Sequence, residues 1–313
     1  MQDVWPFLVA CGGLVSVIPV LARLRAGLSA TALAPAWNWI AAFWLSWLAA
    51  SGMALMRPSA AAWAEILWYL TAVLALTPPI AVLGGRRPIV RVWTWFVVVP
   101  LVLVFSWPVL ATWQEGGAVP FTLEEPLLAG YVLVVIMGAG NYIGLGHSLP
   151  AVLWIAGLLC LVFPFCPSTA DWVFSRGTGR TAAILCLAAC AWTADRQCAR
   201  RRRLADPSRP PIDRVWHDFR DLFGIVWARR LQERFNDGAR RSGLAIRLGI
   251  HGLEPAGGND PAPSRDAQSL AAAESSLRWL LQKFVDREWI DRRMADGNGS
   301  TCPRAPEGGN ESD

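Results

Sequence analysis

Charge is what this sequence has little of. Asp, Glu, Lys and Arg make up 17% of its 313 residues against 54% hydrophobic ones, and a chain of that size cannot clothe a water-soluble globule with so little polar surface. With a mean hydropathy of +0.34, a membrane protein is expected. Histidine is scarcer: His147, His217 and His251 lie far apart in sequence and form no H-E-x-x-H motif, which argues against a zinc hydrolase. Lysine is almost missing, Lys283 standing against 28 arginines, a bias that fits a GC-rich genome and carries no chemistry. The seven cysteines lack metal-ligand spacing. Cys186 and Cys190 share a helix face at i, i+4 but have no accompanying histidine or second pair, so they are expected to pack as small hydrophobes. No metal and no cofactor is expected.

Two further absences narrow the reading. The opening residues MQDVW carry Asp3 and no basic group, so the charged start of a secretory signal is missing and the first apolar run is expected to be a retained anchor. Ionisable side chains are also missing from the middle of the apolar runs. Glu65, Glu124, Glu125, Asp171 and Asp195 all fall near predicted span ends. A proton relay or ion pathway would need such groups at mid-depth, which weighs against a pump while leaving open a pore for neutral solutes.

Seven stretches are expected to span a bilayer, near residues 4–22, 34–56, 62–83, 90–112, 126–146, 149–166 and 179–198, since a helix needs about 20 apolar residues to cross. The seventh has the shortest apolar core, lengthened by Arg180 and Arg196 snorkelling at its ends. With the N-terminus outside, inner segments hold ten arginines (23, 25, 86, 87, 91, 196 and 200–203) and outer loops three (57, 176 and 180). Six spans would give eight against five, a weaker positive-inside contrast. Trp5, Trp63, Trp107, Trp113 and Trp172 then fall near outer ends, and Trp37, Trp39, Trp93, Trp95 and Trp192 near inner ends, as interface anchors do. Pro78, Pro79, Pro100, Pro108 and Pro164 interrupt spans, which static and gated bundles both tolerate.

The most distinctive intramembrane stretch is GAGNYIGLGHSLP, residues 138–150. Gly140 and Gly144 make a small-xxx-small pair that would let a second helix approach, and His147 occupies a turn of about three residues between spans five and six. Asn141, Tyr142 and His147 form a candidate polar binding site at the inner mouth. A packed helix pair with a solvated turn is the preferred alternative, since small residues commonly line such contacts. GAGNYI lacks the third glycine of a dinucleotide loop, and SRGTGRT at 175–181 lacks the first glycine and the lysine of a phosphate loop.

Residues 199–211 read as a basic, Pro-rich linker, with RRRR as a stop-transfer flank. From 212 to 294 a cytoplasmic helix–strand–helix domain is expected. Its first helix, about seven turns long, gathers Trp216, Phe219, Phe223, Trp227 and Leu231 on one face and ends at Gly238 or Gly243. A lone strand follows in GLAIRLGIHGL, and a second helix runs from an N-cap at Asp266 to Arg293. Residues 295–313 read as a disordered tail. A single strand leaves its edges unpaired, so a homo-oligomer, or augmentation of another membrane-associated protein, is expected. After Asp195, 21 basic groups face 17 carboxylates and no binding motif appears, so no nucleic acid is expected.

WHDFRDLFGIVWARRLQERFN and LRWLLQKFVDREWID together resemble stretches of uncharacterised multi-pass membrane proteins of planctomycete-type bacteria, a resemblance that implies a recurring helical module and no activity. The fold class expected is an all-α transmembrane bundle of about seven helices (1–198) with a small C-terminal α+β domain, set in the cell inner membrane, N-terminus outside and C-terminus cytoplasmic. A non-enzymatic scaffold or assembly subunit is the expected role. The alternatives are a transporter or channel component for a neutral or lipid-like solute, which a water-lined cavity reaching Asn141 and Tyr142 would favour, and an enzyme acting on lipid-linked substrates, which a carboxylate near His147 would favour.

Overall fold

The computed structural model describes residues 4–56, 61–114, 122–166, 176–203, 210–256 and 267–295. Helices α1 (Val4–Leu28), α2 (Ala34–Met56), α3 (Ala61–Ala75) and α4 (Thr77–Leu83) are followed by a helix that runs from 90 to 114 as α5 (Val90–Trp93), a π turn (Thr94–Val98) and α6 (Val99–Gln114). Then come α7 (Glu125–Gly140), α8 (Ser148–Val162) and α9 (Arg176–Arg203). The remainder is α10 (Pro211–Arg241), strands β1 (Ile246–Gly249) and β2 (Gly252–Pro255), α11 (Ala267–Leu281) and α12 (Arg287–Ala295).

Prolines explain the interruptions. Pro78 and Pro79 have no N–H for the carbonyls one turn back, so α3 and α4 part at Leu76, and the Thr77 hydroxyl donates to the freed Leu74 carbonyl at 2.7 Å. The π turn ends directly before Pro100, where the Val99 N–H reaches back to the Thr94 carbonyl. Helix α3 lies at the centre of the bundle. Its Tyr69 hydroxyl donates to the Phe105 carbonyl at 2.5 Å, and Tyr131 of α7 donates to the Ala72 carbonyl at 3.1 Å. Helices α8 and α9 approach where Gly157 faces Leu187, so closely that a Cβ would stand 2.8 Å from Leu187 Cγ.

Four helical stretches are long and apolar enough to cross a membrane: Cys11–Leu28, Ala62–Leu83, Val90–Thr112 and Ser148–Phe165. Among the described residues, every exposed large hydrophobic side chain except Ile250 and Trp279 lies before residue 186. An exposed apolar area of that extent needs a cover, and lipid is compatible with it.

Several expectations are corrected. Helix α7 stops at Gly140, and residues 141–146 form a turn twice the expected length in which Gly144 has a φ of 86°. Gly140 and Gly144 therefore share no helix face, and an added Cβ at either meets nothing within 4 Å. The run RRRR is the last turn of α9 and not part of a linker. Helix α10 is broken at Gly224 (φ 80°, ψ 179°) and runs on past Gly238 to Arg241, with Gly243 at a φ of 67° just beyond its end. The expected second helix is two, parted at 282–286. The expected N-cap Asp266 and the tail from 296 lie outside the described residues, as do 204–209 of the linker.

The largest correction concerns the lone strand. β1 pairs antiparallel with β2, Ile246 opposite Pro255 and Gly249 opposite Gly252. GLEP alternates no hydrophobic residues and ends in proline, so it gave no strand signal. The hairpin supplies β1 with a partner inside the chain, which replaces the lone strand from which a homo-oligomer was expected, while each strand of the two-stranded ribbon keeps an outer edge. A two-stranded ribbon needs packing to persist, which α10 provides. The Trp216 indole donates to the Gly249 carbonyl at 3.1 Å, Asn236 both donates to and accepts from the Leu248 backbone, and the Asp213 carboxylate accepts the Leu253 N–H at 2.8 Å.

Candidate functional site: a docking seam under the helical bundle

Trp216, Phe219, Phe223, Leu277, Leu281, Phe284, Trp289 and Ile290 close a C-terminal cap around α10, and the same core continues into Leu28, Leu33, Ile80, Val82 and Val98 of the bundle. A seam of polar contacts follows this junction. In the α1–α2 turn, the Ala32 N–H donates to the Phe284 carbonyl at 2.7 Å, and the Asp286 N–H donates to the Ala30 carbonyl at 2.9 Å. After α4, the Arg87 N–H donates to the Lys283 carbonyl at 3.0 Å and the Arg87 guanidinium pairs with Asp286 at 2.5 Å. The Trp227 indole donates to the Val82 carbonyl at 3.1 Å.

The α7–α8 turn is tied most tightly. At Gly224 the helix-breaking φ turns the backbone groups of Phe223, Ile225 and Val226 out of the α10 ladder, and Asn141 satisfies all three. Its Nδ2 donates to the Phe223 carbonyl (3.1 Å), its Oδ1 accepts the Val226 N–H (3.1 Å), and its backbone carbonyl accepts the Ile225 N–H (2.8 Å). Tyr142 donates its hydroxyl to the Leu222 carbonyl at 3.1 Å. An asparagine suits this role because its side chain presents donor and acceptor together.

One carboxylate joins four elements beside it. Asp221 of α10 pairs with Arg201 of α9 and with Arg220, and Arg201 also donates to the Leu145 carbonyl of the turn. Arg220 also donates to the Ile250 carbonyl of the hairpin at 2.6 Å. His147 Nε2 stands 3.7 Å from Asp221 Oδ2, beyond hydrogen-bond length. Burial alone would push the Asp221 carboxyl up, but the adjacent His147, Arg201 and Arg220 outweigh it and hold the carboxyl below the usual carboxylate range. A depressed folded value stabilises the docked cap above the unfolded value near about 3.9, and that contribution is lost as pH falls through the folded value. Protease accessibility of 212–256 is therefore expected to stay flat from pH 8 to 5 and to rise only below about pH 4. Asp221→Asn should abolish the Asp221 share of that acid limb.

All three expected site residues thus meet the same helix. Asn141 and Tyr142 direct their polar atoms into α10, and His147 lies buried against Asp221. The carboxylate near His147 that a lipid-linked enzyme would require is present, but Arg220 and Arg201 occupy its two oxygens, which leaves it unsuited to accept a proton. From sequence, Arg87 and Arg201 enter only the arginine count and Asp221 and Asp286 carry no signal; a glycine inside a helical pattern, Gly224, is the one feature that could have marked the break in α10. No family model matches this chain, and neither a curated protein nor a solved structure matches it.

Proposed function

We propose that this protein is a non-enzymatic scaffold or assembly subunit of the cell inner membrane, with seven spans, the N-terminus outside and a cytoplasmic cap as its docking domain. One observation carries the reading: the turns after α1, α4 and α7, and the end of α9, all contact the same cap. Elements that share one cap share one face. Each excursion between them, α2 with α3–α4, 90–114 with α7, and α8 with α9, then leaves and returns, and α1 adds the odd crossing. Helix α7, at 16 residues, is the shortest leg at about 24 Å, because a 3-10 turn at Phe163–Phe165 extends α8 to 18 residues, and local thinning accommodates the mismatch. The arginine count favours the capped face as cytoplasmic.

A scaffold is favoured over a carrier because the polar atoms of Asn141 and Tyr142 are taken up by the cap and do not line a path. Trp279, 61% exposed on the cap surface, offers an aromatic anchor of the kind enriched at interfaces. A green fluorescent protein fused behind Asp313 is expected to fluoresce and an alkaline phosphatase fused there to be inactive; the reverse pattern overturns the topology. Purification from native membrane in mild detergent is expected to retain a stoichiometric partner, a second copy or another membrane-associated protein. A chain that purifies alone and conducts a neutral solute across reconstituted vesicles overturns the scaffold.

A further inference from the structure

The inner end of α1 carries a basic feature that the cap does not use. Ile18, Ala22, Arg25 and Ser29 recur at three- and four-residue steps and stand exposed along one stripe of the helix. With Leu21 and with Trp37 of α2 they line an open groove of about 560 Å³, within the range of small-ligand sites. Its floor is hydrocarbon and its upper rim is cationic. Neighbouring Arg23 is neutralised by Asp195 of α9 at 2.8 Å, whereas Arg25 makes no ion pair among the described residues. The Arg23–Asp195 pair sets α1 level with the inner end of α9, where exposed Arg200 and the Arg196–Trp192 pair, 5.7 Å from guanidinium to ring, add positive charge at the same depth.

We propose that this groove binds one anionic phospholipid of the cytoplasmic leaflet, its acyl chain along Ile18, Leu21 and Ala22, its phosphate at Arg25, and the Trp37 indole at headgroup level, with the Ser29 hydroxyl donating to the Ala26 carbonyl at 3.0 Å. The inference rests on the membrane reading above. Each part follows from chemistry on the page: an apolar trough open to the side admits a chain arriving within the bilayer, and basic pockets on the cytoplasmic side select anionic headgroups. Trp37 has the amphipathic ring that sits at that level.

The full-length protein, extracted in dodecylmaltoside and titrated separately with dioleoylphosphatidylglycerol and dioleoylphosphatidylcholine, would be weighed by native mass spectrometry. One phosphatidylglycerol is expected to remain bound with at least a fivefold preference over phosphatidylcholine, and 50 mM inorganic phosphate is expected to leave it in place. Arg25→Gln should reduce that preference to near unity, while Arg91→Gln, which removes an exposed inner arginine away from the groove, should preserve it. Equal retention of both lipids, an unchanged preference in Arg25→Gln, or displacement by phosphate overturns the site. Failure of the membrane reading is distinguishable, because the chain would then remain soluble when detergent is omitted.

Discussion

Gly224→Val is expected to release the cap from the α7–α8 turn. At a φ of 80° and ψ of 179°, the backbone occupies a region reserved for glycine, and a side chain there costs about 1–3 kcal/mol in strain alone. A Cβ would also fall well inside contact distance of Asn141 Nδ2 and Cγ, so the asparagine must move, and each buried group it abandons costs about 1–3 kcal/mol. With three such groups, strain and abandonment together predict a loss of docking of about 4 kcal/mol or more. Amide hydrogen exchange would read the loss directly, with protection at Ile225 and Val226 falling by two or more orders of magnitude. Gly238→Ala provides the contrast, since Gly238 is helical with open space around its Cα, and the variant should hold or gain about 0.5–1 kcal/mol. Unchanged protection in Gly224→Val would mean that the Asn141 bonds do not hold the seam.

This prediction lies where sequence and structure part. Hydrophobic periodicity is a local property, so the apolar helices, the buried face of α10 and the β1 strand were all legible from spacing. Partnership is not local. Asn141 and Phe223 are 82 residues apart, and Arg87 and Asp286 are 199 apart, so no window over the chain could have shown that the polar turn exists to receive α10. The second strand was hidden for a different reason: Gly252 and Pro255 serve a turn and an edge, and neither contributes to an alternation. Asn141, Tyr142 and His147 were recognisable as a polar cluster because polar groups near a membrane span need partners. What fills that need came from the far end of the chain. The arginines misled in one respect. Counted as a stop-transfer flank, RRRR conceals that Arg201 is a half-buried ligand of Asp221 while exposed Arg200 is not.

Asp221→Asn is expected to have the second large effect, and its direction separates a structural ion pair from a surface one. Exposed pairs are worth about 0–1 kcal/mol, which is all that Arg240–Asp237, with both side chains more than half exposed, should contribute. Asp221 is 12% exposed and Arg220 9%, so removing the carboxylate leaves a buried guanidinium without its counter-charge. Breaking a buried pair typically costs about 3–5 kcal/mol. The lower end applies here, because Arg201 is 35% exposed and recovers part of its hydration. Thermal unfolding in detergent, followed by proteolysis within 212–256, should show the cap opening well before the bundle in Asp221→Asn and together with it in the parent. Arg201→Met combined with Asp221→Asn should recover part of the loss, since deleting both partners removes the stranded charge on the α9 side. Strictly additive single effects in that double variant would show that Arg201 and Asp221 do not couple, and α9 would then have no hold on the cap.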